Sequence, residues 1–191
     1  ADLTYLVQGG ISKQVPISLL NTFSNYSNVV VVDPAGNGDY TTLSAALASI
    51  SDSSATNRYA VLLFGRNVIT NFTWSQSYID VFGFGAIIGA ATAQTITFTN
   101  TGLTTLNNIV FESNVTLAVS TNGVVTVRNC ALSGSLSVAG AGASVNVFSC
   151  TLARVIVSNA TAVVQIFDST MAIASANTVT GTLRLIGCLV T

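Results

Sequence analysis

Four stretches toward the C-terminus align one beneath another: Val125-Thr-Val-Arg-Asn-Cys-Ala-Leu132, Val145-Asn-Val-Phe-Ser-Cys-Thr-Leu152, Val164-Gln-Ile-Phe-Asp-Ser-Thr-Met171 and Leu183-Arg-Leu-Ile-Gly-Cys-Leu-Val190. They start at 125, 145, 164 and 183, so the steps are 20, 19 and 19. A unit of this length cannot bury its own apolar face, and a self-similar period in this range marks a chain that stacks each unit on the last.

Within each copy an apolar residue alternates with a variable one, which is the period of a strand with one buried face. Val125, Val145, Val164 and Leu183 form one inward column, and Val127, Val147, Ile166 and Leu185 form the next. Thr126, Asn146, Gln165 and Arg184 between them are expected to point outward. The expected fold class is therefore all-β, a right-handed parallel β-helix with roughly 20 residues per coil and turns stacked about 4.8 Å apart. A leucine-rich repeat has a similar length, but its Leu-x-x-Leu-x-Leu frame is missing.

The cysteines obey the same ladder, with Cys130, Cys150, Ser169 and Cys188 in one column. A small, soft side chain packs well there, and parallel Cβ vectors on adjacent rungs disfavour a disulfide. The chain has no histidine and no Cys-x-x-Cys, so neither a metal nor another cofactor is expected. Free thiols fit assembly in a reducing cytoplasm. Beside the thiols runs a polar column, Asn108, Asn129, Ser149 and Asp168, of residue types that tolerate the left-handed conformation of a coil corner.

Upstream the period is fainter. Phe98, Val119 and Val138 step by 21 and 19, and Ile88 is expected to lie under Ile109, so coils extend back to Val61-Leu-Leu-Phe64. An open apolar end would template aggregation, which calls for a lid. The lid is legible where Val29-Val-Val-Val32 runs into Asp33-Pro-Ala-Gly-Asn-Gly-Asp39 and then into Leu43, Ala46, Leu47 and Ile50 on one helical face, with Thr41 or Thr42 as N-cap. The expected division is residues 1–28, an attachment or trimerisation segment, residues 29–58, strand and capping helix, and residues 59–191, the parallel β-helix.

The segment Val32-Asp-Pro-Ala-Gly-Asn-Gly-Asp-Tyr-Thr-Thr-Leu-Ser-Ala-Ala-Leu47, followed by Tyr59-Ala-Val-Leu-Leu-Phe-Gly65 and Ile79-Asp-Val-Phe-Gly-Phe-Gly85, resembles the opening of pectin lyase-like β-helices, a superfamily that includes many phage tailspikes. The resemblance implies a fold and leaves activity open. The Gln-rich segment and Asp pair of pectin methylesterases have no counterpart here. Only seven carboxylates exist: Asp2, Asp33, Asp39, Asp52, Asp80, Glu112 and Asp168. Glycoside hydrolysis needs two of them about 5 to 9 Å apart. The expected rung partners of Glu112 are Ala91 and Ser133, and those of Asp168 are Ser149 and Gly187, so no pair forms within one chain.

Charge is scarce at 7%, against about 25% in soluble domains, while half of the residues are hydrophobic. A lone rod of this kind exposes apolar patches, and burial between copies removes them. Lys13, Arg58, Arg66, Arg128, Arg154 and Arg184 are scattered, which argues against nucleic acid as partner. No stretch reaches the length of a membrane span, so no membrane insertion is expected. Gly36-Asn-Gly38 and Gly83-Phe-Gly85 lack the context of phosphate loops and read as turns, and Trp74 with Phe72 reads as a core or cap pair before a sugar platform.

The first 28 residues read as a strand, a Gly-Gly turn, a second strand and a polar linker. The string Tyr5-Leu-Val-Gln-Gly-Gly-Ile-Ser-Lys-Gln14 resembles the short N-terminal module of phage tail-fibre and tailspike proteins, which implies an attachment role for Tyr5, Leu6, Gln8, Gly9, Gly10 and Lys13. Phage β-helices recur as cyclic homotrimers, so resemblance and apolar surface agree on three copies. The expected protein is a non-enzymatic, trimeric virion appendage, a tail spike or fibre, assembled in the host cytoplasm. It would join other virion proteins through residues 1–28 and adhere to the host surface, with a surface glycan as a candidate ligand. Two alternatives share the fold: a tailspike enzyme that cleaves or de-esterifies polysaccharide at an intersubunit site, and a capsid decoration protein.

Overall fold

A computed structural model describes residues 3–8, 11–16, 23, 25–172 and 178–191, with the backbone alone for 3–8, 11–16 and 178. Strands β1 (Leu3–Gln8) and β2 (Ile11–Pro16) form an antiparallel hairpin in the register Leu3 with Pro16 through Gln8 with Ile11. Gly9 and Gly10 between them lie outside the described residues.

All remaining strands belong to one continuous ladder of parallel pairs, a β-solenoid of about six turns. One strip of this ladder runs through β3 (Asn28–Val32), the first halves of β4 (Tyr59–Val68), β6 (Ile79–Gly89) and β8 (Leu103–Phe111), then β10 (Val124–Arg128), β12 (Ser144–Phe148), β14 (Val163–Phe167) and β17 (Thr182–Ile186). A second strip takes the later halves of β4, β6 and β8, then the starts of β11 (Ala131–Val138) and β13 (Thr151–Val157), β15 (Thr170–Met171) and β18 (Leu189–Val190). The third holds β5 (Phe72–Trp74), β7 (Gln94–Phe98), β9 (Val115–Val119), the later halves of β11 and β13, and β16 (Thr178–Val179).

Registers explain the alternation. Val127 pairs with Val147, Val147 with Ile166 and Ile166 with Leu185. Val127, Val147 and Ile166 are fully buried, each burial being worth about 1.5 to 3 kcal/mol. Leu185 departs from the expected core ladder: it is 39% exposed, because among the described residues no rung lies against its far side. Thr126 keeps the outward side of its strand, between the inward Val125 and Val127, yet is only 7% exposed. It stands between Thr105 and Asn146 on the flanking rungs.

The fainter N-terminal period has a physical cause. Val81 pairs with Leu106, yet Ile88 pairs with Phe111 and Ala86 with Ile109, because the register between β6 and β8 shifts across residues 82 to 86. The expected alignment of Ile88 under Ile109 is therefore wrong by one inward position. Trp74 is fully buried and stacks on Phe98 with ring centroids 5.1 Å apart, which makes it a core residue.

Helix α1 (Leu43–Ser49) starts at Thr42, whose hydroxyl accepts from the Ala45 N–H at 3.3 Å. It buries Leu43, Ala46 and Leu47 in one cluster with Val30, Val32, Val61 and Leu63. The Asp33 to Asp39 turn before it is held by its own acids: Asp33 accepts from the Ala35 N–H at 2.9 Å and Asp39 from the Val31 N–H at 2.8 Å. Among the described residues no helix is long and apolar enough to cross a membrane.

Candidate functional site

Between the first and second strips every rung turns on a single left-handed residue. Asn108, Asn129, Ser149 and Asp168 have φ of 58°, 52°, 52° and 47°, and the same corner is made by Gly65, Gly85 and Gly187 with φ of 61°, 64° and 64°. Only glycine adopts this conformation without cost, and Asn or Asp comes next. Polar letters in an apolar frame made the first four legible. Gly85 falls in the Gly83-Phe-Gly85 piece expected to turn, although Gly83 itself lies within strand β6, while the corners at Gly65 and Gly187 carry no polar letter to mark them.

The residue after the corner has its N–H turned away from the ordinary ladder, and the next rung supplies an acceptor. The Cys130 N–H donates to the Cys150 Sγ at 3.4 Å, and the Cys150 N–H donates to the Ser169 Oγ at 3.0 Å. Each hydroxyl or thiol in turn donates to the carbonyl two residues before it, as Cys150 does to Phe148 and Ser169 to Phe167. Cys130 and Cys150 are buried and Cys188 is half-buried, all three as free thiols. The column thus holds acceptors for buried amides as well as small core groups.

The corner column lines an open groove of about 570 Å³ along the stack, bordered by Gly85, Asn108, Asn129, Cys130, Ser149 and Thr151. Its amides are engaged by the chain itself: Asn108 donates to the Gly83 carbonyl at 2.8 Å and Asn129 to the Asn107 Oδ1 at 3.1 Å. This part of the surface fastens rungs together.

The described acids are distributed over separate contacts. Glu112 is held by Arg66 through two hydrogen bonds of 2.8 Å, and that guanidinium keeps its carboxyl below the ordinary 4.5. The residue facing this carboxylate on the preceding rung is Gly89, not the expected Ala91, as the register shift in β6 dictates. A Cβ at Gly89 would strike the Glu112 carboxylate, so glycine leaves room for the ion pair. Asp52 accepts from the Tyr59 hydroxyl at 2.6 Å and from the Asn57 amide at 3.0 Å. Asp80 is buried and receives the Tyr26 hydroxyl at 2.7 Å and the Arg58 guanidinium. Asp168 is exposed at its corner, next to Gly187 on the following rung. No group of three or more His, Cys, Asp or Glu able to hold a metal occurs among the described residues.

The outside of the first strip carries a column that apolar alternation does not mark. Arg128, Phe148 and Phe167 occupy one outward column; the rings of Phe148 and Phe167 stack at 4.8 Å and 6°, and the Arg128 guanidinium lies 4.2 Å over Phe148. The fourth letter of each repeat contained this signal. Alternation hides it, because it marks every second position only as variable. On earlier rungs of the same face, Phe23 and Tyr26 cover Leu62 and Phe82, with Phe23 edge-on to Phe82 at 4.9 Å. Asp80 and Arg58 pin this cover from beneath. Of the residues expected to attach to a particle, Tyr5, Leu6, Gln8 and Lys13 stand in the β1–β2 hairpin, where Tyr5 pairs with Gln14 and Leu6 with Lys13.

Fold and site together define a parallel β-solenoid with an apolar outer strip. Comparison of the chain with protein-family models, with curated proteins and with solved structures finds no match.

Proposed function

We propose that this chain is the shaft of a bacteriophage appendage: a right-handed, homotrimeric β-helix of roughly 20 residues per coil, non-enzymatic, carried on the particle by residues 1–28 and presented to the host surface. The observation that carries the reading is the outer strip of Phe148, Phe167 and Ile186, half-buried in a single chain whose charged residues make up only 7% of the sequence. Apolar surface of this kind marks an association face. The individual engagement of Asp52, Asp80 and Glu112 supports a structural rather than hydrolytic role for the acids. Helix α1 then serves as the lid of the first coil. The virion setting rests on the resemblance of Tyr5 to Gln14 and of Val32 to Leu47 to phage tail modules and pectin lyase-like openings.

Sedimentation and particle incorporation test this. The full chain is expected to run as a trimer of about three times 19.6 kDa. Deletion of residues 1–16, which spares the Phe23 and Tyr26 cover and all of β3, should leave it trimeric but absent from particles. Incubation with host capsule or lipopolysaccharide should release no reducing ends, unsaturated uronates or acyl groups. A folded monomer, or a shortened chain that incorporates at full occupancy, refutes the reading, and released sugar products would replace it with a tailspike enzyme.

A further inference from the structure

We infer that the outer strip of β10, β12, β14 and β17 is the seat of a second copy of this chain, and that Arg184 of one copy pairs with Asp168 of its neighbour. The inference rests on the proposed self-association and adds where it occurs and what sets its register.

The first ground is the way the face is already covered. Along one column Val31, Leu62 and Phe82 are followed by Asn107, Arg128, Phe148, Phe167 and Ile186. Over Leu62 and Phe82 the chain lays its own Phe23 and Tyr26, and among the described residues that apolar cover extends no further. Beyond Arg128 the column is apolar again, with Phe148, Phe167 and Ile186 only half-buried.

The second ground is ring geometry. One face of Phe148 carries Arg128 and the other carries Phe167, so its accessible part is the edge. A pyranose or a base stacks on a ring face, and none is free on Phe148. Ring edges in a row suit a packed apolar counterpart instead.

Charge complementarity points to the copy itself. The strip offers Arg128 and Arg184 and no acid, and Arg184 has no ion-pair partner among the described residues. The exposed carboxylate left without a hydrogen bond among the described residues is that of Asp168, on the corner bordering the same strip. Gln165 pairs with Arg184, so Asp168 stands one rung before Arg184, a height difference of about 4.8 Å. In a cyclic assembly of parallel rods the sheet face of one copy meets the corner edge of the next at nearly equal height, which brings these two groups within reach. A foreign partner would leave the chain's own matching acid unexplained.

Charge exchange tests the contact. Arg184→Asp and Asp168→Lys should each raise the trimer dissociation constant at least about tenfold in sedimentation equilibrium, and the double exchange should bring it back to within about threefold of wild type. Asp168→Asn, which suits the left-handed corner, should weaken assembly without disturbing the circular dichroism spectrum. Phe148→Glu should dissociate the assembly, whereas Val110→Glu, on the second strip, should not. If the wild type is trimeric and the single exchanges leave it unchanged, or if Val110→Glu alone dissociates it, the seat is elsewhere while self-association stands. If the wild type is monomeric, both fail.

Discussion

Ser149 and Cys150 divide one task between them. The left-handed φ of Ser149 turns the chain, and the amide that this turn detaches from the ladder, that of Cys150, is accepted by Ser169 one rung on. A buried amide without an acceptor costs about 1 to 3 kcal/mol. Cys150 plays the same part for Cys130, so Cys150→Ser is expected to keep the fold within about 1 kcal/mol. Cys150→Val fills the site but cannot accept, and should lose about 1 to 3 kcal/mol in urea melts. Equal melts for the two variants would reduce the thiol to a space filler. Its neighbour Cys150 and burial both hold the Cys130 thiol well above its ordinary range, so this cysteine stays protonated and unreactive in the native state. The column was legible as letters because Cys, Cys, Ser and Cys recur in step. The detached amide was not, because the direction of a backbone N–H is set by φ and leaves no mark of its own in the sequence.

Among the elements, the segment around Phe23 and Tyr26 depends on one buried acid. Asp80 joins Tyr26 to Arg58, and removing it leaves a guanidinium and a phenol without their acceptor. Asp80→Ala should cost about 1.5 to 3 kcal/mol and open residues 23–27 to proteolysis while the later rungs stay intact. Burial first, then the Asp80 hydrogen bond, raises the Tyr26 phenol above its ordinary 10.0. Stability from the neutral phenol is therefore complete below that value and lost as the pH climbs past it. The ion pair joining β4 to the end of β8 has the opposite sign. Arg66 lowers the Glu112 carboxyl below 4.5, so its contribution is present above that pH and fades as acid is added. The difference in melting temperature between wild type and Glu112→Gln should shrink below about pH 4.5, and a difference that persists undiminished would assign the effect to packing. Registers of β10, β12, β14 and β17 could be read directly, since their spacing is nearly constant. Those of β6 and β8 could not, because residues 82 to 86 shift the pairing and the partner of Glu112 moves from Ala91 to Gly89.

At the scale of the whole molecule, inside and outside are separated by a single residue. Val147 is fully buried, whereas Asn146 beside it faces out. Val147→Asp places an unpaired charge in the core and should abolish folding, a loss of about 4 kcal/mol or more, while Asn146→Asp should fall within about 0.5 kcal/mol. Comparable damage from both, measured by circular dichroism and solubility, would overturn the assignment of faces. Stacking also governs the last rung, where Leu185, Leu189 and Val190 are 39%, 61% and 38% exposed because each rung relies on the next to finish its burial. The left-handed corner makes this arrangement modular. Since Ser144 pairs with Val163, residues 144–162 form one self-contained lap of the chain. Inserting a second copy of that lap after residue 162 would restore every downstream partner in type and lengthen the solenoid by one strand spacing, about 4.8 Å. The reach of such a molecule is thus graduated like a ruler, and genes encoding it can change length by whole marks without redesigning anything between them.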